Sequence, residues 1–104
     1  MYKLAFYVPE AQLETVKAAL FQKGAGRIGQ YDSCAWQTKG RGQYRPLSGS
    51  QPFVGTPSQL ETVEEYLVEM VCEEQVVKTV VAELKRTHPY EEVAYAVYKI
   101  NDII

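Results

Sequence analysis

The sequence predicts one α+β domain over residues 1–104: a ferredoxin-like βαββαβ sandwich with a four-stranded antiparallel sheet, two helices on one face and a long hairpin between the second and third strands. Three observations predict it. The chain has 104 residues, 46% of them hydrophobic, which suffices for one core and not for two. It carries an internal repeat. Each half of that repeat reads as strand, helix, strand, and two such halves make the split βαβ arrangement.

Laid without a gap over residues 66–100, residues 2–36 give identities at Tyr2/Tyr66, Glu10/Glu74, Thr15/Thr79, Val16/Val80, Ala18/Ala82, Leu20/Leu84 and Tyr31/Tyr95. Both halves open with the alternation of a strand: Leu4, Phe6 and Val8 in one, Tyr66, Val68, Met70 and Cys72 in the other. Helical spacing follows, through Leu13, Val16 and Leu20, and through Val77, Val80, Val81 and Leu84. Pro9 with Glu10, and Glu73 with Glu74, suit the opening turns. Each half closes on a second run rich in Tyr and Val, residues 28–36 and 93–100, expected as strands. Residues 58–71 also show helical spacing, and Ser58 with Glu61 resembles a capping box. The repeat and the β-favouring residues of 66–72 decide for a strand there, with a helical turn expected near residues 58–62.

A sheet covered by helices on one side must solvate its other face or bury it in a partner. The positions expected to face outward, Ala5, Tyr7, Leu67, Val71, Ala94, Ala96 and Tyr98, are more apolar than a wet face requires. Self-association through that face is the expectation.

A net charge of −2 supplies no basic footprint, which argues against a nucleic-acid partner. No run of 18 apolar residues exists and the N-terminus lacks a leader pattern, so no membrane segment and a cytoplasmic location are expected. Cys34 and Cys72 lie in apolar stretches without paired spacing, which reads as reduced thiols rather than a disulfide or zinc site.

Three motifs bear on chemistry. GAGRIG, from Gly24 to Gly29, matches the dinucleotide fingerprint but follows a helix and opens a strand. Its glycines therefore read as a helix C-cap at Gly24 and a tight turn at Gly26. THPYEE, at the equivalent place in the second half, contains the single histidine. Pro89 ends the helix near Thr87 and His88, where the helix dipole favours a charged imidazole. His88, Glu91 and Glu92 form a candidate ligand set for a divalent metal ion, complete only if partner subunits add to the shell. The third motif is the connection of residues 37–57. No acidic residue lies between Asp32 and Glu61, while Lys39, Arg41 and Arg45 are basic. Tyr44, Phe53 and Val54 argue against disorder, and loops of this length are usually functional. Arg41 and Arg45 as forked donors, Lys39 as a steering charge and Tyr44 beside them form a candidate site for a small anionic metabolite. The competing reading pairs these bases with Glu61, Glu64, Glu65 and Glu69 on the next strand or on another subunit.

GAGRIGQYDSCAW, GRGQYRPLSGSQPFVG, VEEYLVEMVC and HPYEEVAYAVY together resemble the domain inserted in YqfO-type proteins of the NIF-three family, the GTP cyclohydrolase type II-like proteins. The chain is similar to a stand-alone version of that domain over residues 2–100. The resemblance implies a PII/CutA-like fold and a trimer ahead of a dimer. In that family the two-metal site is built from histidines and carboxylates in the lobes flanking the insert, and no counterpart of those lobes is expected within residues 1–104. The resemblance thus implies a non-enzymatic, self-associating module that binds a small anionic ligand or metal at subunit boundaries. A purely structural or interaction domain is the second reading, and a metal-dependent hydrolase the third. No nucleophile has a base beside it in sequence and Cys34 has no identifiable activating histidine, which disfavours an enzyme.

Overall fold

The computed structural model describes residues 1–101. Six elements follow in the order β1 (Tyr2–Pro9), α1 (Glu10–Gln22), β2 (Trp36–Tyr44), β3 (Glu61–Cys72), α2 (Glu74–Thr87) and β4 (Tyr95–Lys99). The sheet is antiparallel throughout in the order β2-β3-β1-β4, the ferredoxin-like arrangement. The helices begin at Glu10 and Glu74, the two residues that the repeat superposes.

Alternation sorts the strands' side chains onto two faces. Leu4, Phe6 and Val8 of β1 and Val68, Met70 and Cys72 of β3 are buried with Leu13, Val16 and Leu20 of α1 and Val80 and Leu84 of α2. Burial pushes the Cys72 thiol up to about 11, so it is a core side chain and not a nucleophile. The intervening residues face away from the helices: Ala5 stands between Glu69 and Ala96, Lys3 between Val71 and Tyr98, and Tyr7 opposite Leu67. This is the open, partly apolar face that the alternation predicts.

The exit of α1 is a Schellman motif. The Gly24 N–H donates to the Phe21 carbonyl at 3.0 Å and the Ala25 N–H to the Leu20 carbonyl at 3.2 Å. Gly24 takes a φ of 103°, a conformation that glycine adopts without a Cβ penalty. GAGRIG thus terminates a helix, as its context predicts.

Two expectations are corrected. The run of residues 28–36 is not a strand of the sheet, which only its last residue, Trp36, enters: Ile28 and Tyr31 bridge only to each other, across a turn in which Gly29 has a φ of 56°. The Gly26 N–H donates to the Val71 carbonyl at 2.8 Å and its carbonyl accepts the Cys34 N–H at 2.9 Å. The first bond ties the segment to β3 and the second closes it on itself, and ladder pairing with β3 begins only at Trp36, opposite Glu69. The helical turn expected near residues 58–62 is also absent. Ser58 sits at a φ of 69° with its N–H on the Pro46 carbonyl, and ladder bonds to β2 take over from Glu61. Because the last partner of β1 on β3 is Glu65, residues 61–64 pair with β2 alone and the two strands continue as an arm. The molecule is accordingly elongated, 47 × 25 × 22 Å.

Candidate ligand cleft at the hairpin base

The arm inherits the two faces of the sheet. Gln37, Lys39, Arg41 and Gln43 of β2 lie opposite Val68, Tyr66, Glu64 and Thr62 of β3, on the helix side. There the Lys17 ammonium of α1 donates to the Gln37 side chain at 2.8 Å and Lys39 lies 3.7 Å from Glu64. Gly40, Gly42 and Tyr44 lie opposite Glu65, Val63 and Glu61, on the open side. The four residues read from the sequence as an anion site therefore do not converge: Lys39 and Arg41 project from one face, Tyr44 from the other.

What the fold does bring together is the hairpin base and the HPYEE segment. Tyr44 and Arg45 join Glu91 and Glu92 in a cleft of about 410 Å³, whose walls also include Tyr7, Phe53, Glu65 and Tyr90. Tyr90 is its centre. Its ring lies 6.4 Å from that of Tyr44 and 6.3 Å from that of Phe53, both tilted, at separations typical of interacting aromatic pairs. Its hydroxyl donates to Glu65 at 3.4 Å, and burial together with the Glu65 charge pushes the phenol up to about 12. Burial also holds the Glu65 carboxyl above its ordinary range, with the Tyr90 bond opposing. That carboxylate lies over Gly42, where a Cβ would overlap it. Tyr44 donates its hydroxyl to the Val54 carbonyl, and the Gln51 N–H donates to Glu91 at 3.0 Å. These two bonds fold the loop of residues 45–60 back onto the cleft.

His88 lies behind the aromatic wall, 6% exposed, with its ring 4.8 Å from that of Tyr90. Nε2 contacts the Tyr7 carbonyl at 2.6 Å and Nδ1 accepts the Tyr90 N–H at 3.1 Å, which makes it the neutral Nε2–H tautomer. The charged form expected from the helix dipole is corrected: burial lowers the pKa and outweighs the Tyr7 bond. Both ring nitrogens are engaged with backbone, so ligation of a metal by His88 requires one of them to give up its partner. Among the described residues no three His, Cys, Asp or Glu side chains converge as a metal site. Sequence reasoning missed Tyr7, Glu65 and Tyr90 as site residues. The available signal was strand parity, which puts Tyr7, Glu65 and Tyr44 on one face once the register is known.

No protein-family model matches the chain. It is 46% identical over 99 residues to the GTP cyclohydrolase 1 type 2 homolog of Bacillus subtilis, a match covering 95% of this chain and 26% of the relative. A Bacillus cereus protein related to NIF3 superposes with a TM-score of 0.83 and 36% identity over 97% of this chain and 26% of that one. The chain is homologous to one segment of the NIF3-related proteins. It spans about a quarter of the length of these relatives. The fold of this NIF3-related segment is also that of the PII-like protein CutA from Nostoc sp. PCC 7120, with a TM-score of 0.70 at 12% identity over 98% of this chain and 83% of that one. Among the segment's described residues no helix is long and apolar enough to cross a membrane.

Proposed function

We propose that the chain is a non-enzymatic, self-associating PII/CutA-like module that pairs with further copies through the open face of its sheet and holds a small ligand in the cleft at the edge of that face. The observation that carries the reading is the double position of Tyr7. Its ring stands on the open face opposite Leu67 and also lines the cleft, so a copy seated on the face meets the wall of the ligand site. The apolar residues of the face, Ala5, Leu67, Val71, Ala96 and Tyr98, give association its driving force. We infer a trimer ahead of a dimer, on the likeness of the fold to PII and CutA.

The reading as a structural or interaction domain is favoured by one observation: Lys39 lies 3.7 Å from Glu64, so this basic residue of β2 serves the arm. That observation assigns a role to Lys39 and leaves the cleft unexplained. The cyclohydrolase activity that the relatives' name carries we assign to the part of them that this chain does not span.

Light scattering at micromolar concentration tests the assembly, with a mass three times that of the chain as the expected result. Leu67→Asp and Val71→Asp should yield monomers, because a buried unpaired charge costs several kcal/mol. A wild-type monomer would sink the proposal.

A further inference from the structure

We propose that the cleft takes a small organic cation with an aromatic or apolar body, an amine or a guanidine, in place of the phosphate-type anion that the basic hairpin implies; the inference deepens the ligand-binding reading above and rests on it. Three carboxylates, Glu65, Glu91 and Glu92, line the cleft against one guanidinium, Arg45. The other two basic residues of the hairpin project from the opposite face. Three neutral donors that an anion could use are already committed, the Tyr44 hydroxyl to Val54, the Tyr90 hydroxyl to Glu65 and the Gln51 N–H to Glu91, which leaves Arg45 as the one cationic donor in the lining. Beside that single guanidinium, the walls offer chiefly acceptor oxygen and aromatic ring faces.

Those are the two groups that recognise an organic cation. A ring face attracts a cation through its quadrupole, more strongly as water is excluded, and Tyr44, Phe53 and Tyr90 stand together as such walls. Glu65 supplies the counter-charge. It is only partly exposed, and no ion pair among the described residues reaches it. A half-buried carboxylate without a cationic partner has lost hydration that the long Tyr90 hydroxyl bond at 3.4 Å only partly returns, and an ammonium beside it adds a charge-assisted hydrogen bond. The cleft volume of about 410 Å³ lies within the range of small-molecule sites.

Three probes of one shape and different charge test this on the intact chain: benzylamine, benzyl alcohol and phenyl phosphate. Binding is followed by the NMR shifts of the Gln51 and Tyr90 amides and by calorimetry. Benzylamine should move both amides and bind about tenfold tighter than benzyl alcohol, as one charge-assisted hydrogen bond implies. Glu65→Gln should remove that advantage and leave benzyl alcohol unchanged. Should that variant fail to fold, Glu91→Gln combined with Glu92→Gln carries the same readout. Phenyl phosphate binding more tightly than benzylamine, or benzylamine binding that Glu65→Gln does not weaken, would overturn the charge class and leave the ligand cleft standing. Amide shifts that arise on self-association alone and block benzylamine would assign the cleft to a side chain of a second copy, against the inference. Silence from all three probes would overturn both the inference and the ligand-binding reading.

Discussion

The His88 imidazole donates from Nε2 to the carbonyl oxygen of Tyr7 at 2.6 Å, tying the exit of α2 to the end of β1. Its other nitrogen accepts the Tyr90 N–H, so one buried side chain satisfies two backbone groups and sets the central wall of the cleft. His88→Ala leaves both groups without partners and opens a void. The expected loss is about 1–3 kcal/mol, more than a mere helix-end residue would cost. Urea denaturation measures it, and a loss below a few tenths of a kcal/mol would contradict the coupling.

The same histidine predicts the direction of a pH effect. Its pKa in the folded protein lies below the ordinary value, so as the pH falls below about 6.5 the unfolded chain takes a proton that the folded chain refuses. Stability should therefore decline from about pH 6.5 toward the folded pKa and level off below it, as far as this group is concerned. Glu65, raised by burial, works in the opposite sense: its contribution is lost as the pH rises through its folded pKa. Urea midpoints at about pH 7.5 and 5.5 for wild type and His88→Ala isolate the histidine. A slope of equal size in both proteins would refute the assignment.

Gly26→Ala should be among the most damaging single-methyl changes. The position has a φ of 76°, and a Cβ there would stand 2.8 Å from the Cys34 carbonyl oxygen and 3.0 Å from its nitrogen. Backbone cannot swing aside as a side chain can, so left-handed strain and collision add, costing about 2 kcal/mol or more. A thermal midpoint within a degree or two of wild type would show that the loop has another way to close.

Gly42→Ala separates folding from the cleft. Its Cβ would overlap the Glu65 carboxylate and nothing in the backbone. Glu65 can rotate away, so stability should change by less than about 1 kcal/mol. The carboxylate would then leave its place beside Tyr90. Benzylamine binding should weaken while the urea midpoint holds; a large loss of stability with binding intact would reverse the roles given to the two residues.

Much of the fold was legible along the chain because it rests on local patterns. The repeat placed both helix starts, alternation chose which residues of β1 and of the second half of β3 face the core, and the position of GAGRIG just after a helix marked the C-cap at Gly24. Those features depend on neighbours a few residues apart. The position of β2 was not legible. Whether residues 28–36 or Trp36–Tyr44 pair with β3 depends on bonds from Gly26 to Val71 and Cys34, and alternation in a polar, glycine-containing strand does not specify register.

The cleft was lost with the register. Lys39, Arg41, Tyr44 and Arg45 looked like one group because they are close in sequence, whereas the strand sends Tyr44, at odd spacing from Lys39 and Arg41, to the opposite face and ends before Arg45. The sequence by itself determined the order of elements, the core and an apolar sheet face, since each follows from the period at which hydrophobic residues recur. Only the tertiary structure decided that the HPYEE corner and the hairpin base share a cleft, and that His88 is a buried neutral link between strands and helix. Both depend on contacts between residues far apart in the chain, whose pairing is set by the lowest free energy of the whole packed domain and not by any local preference.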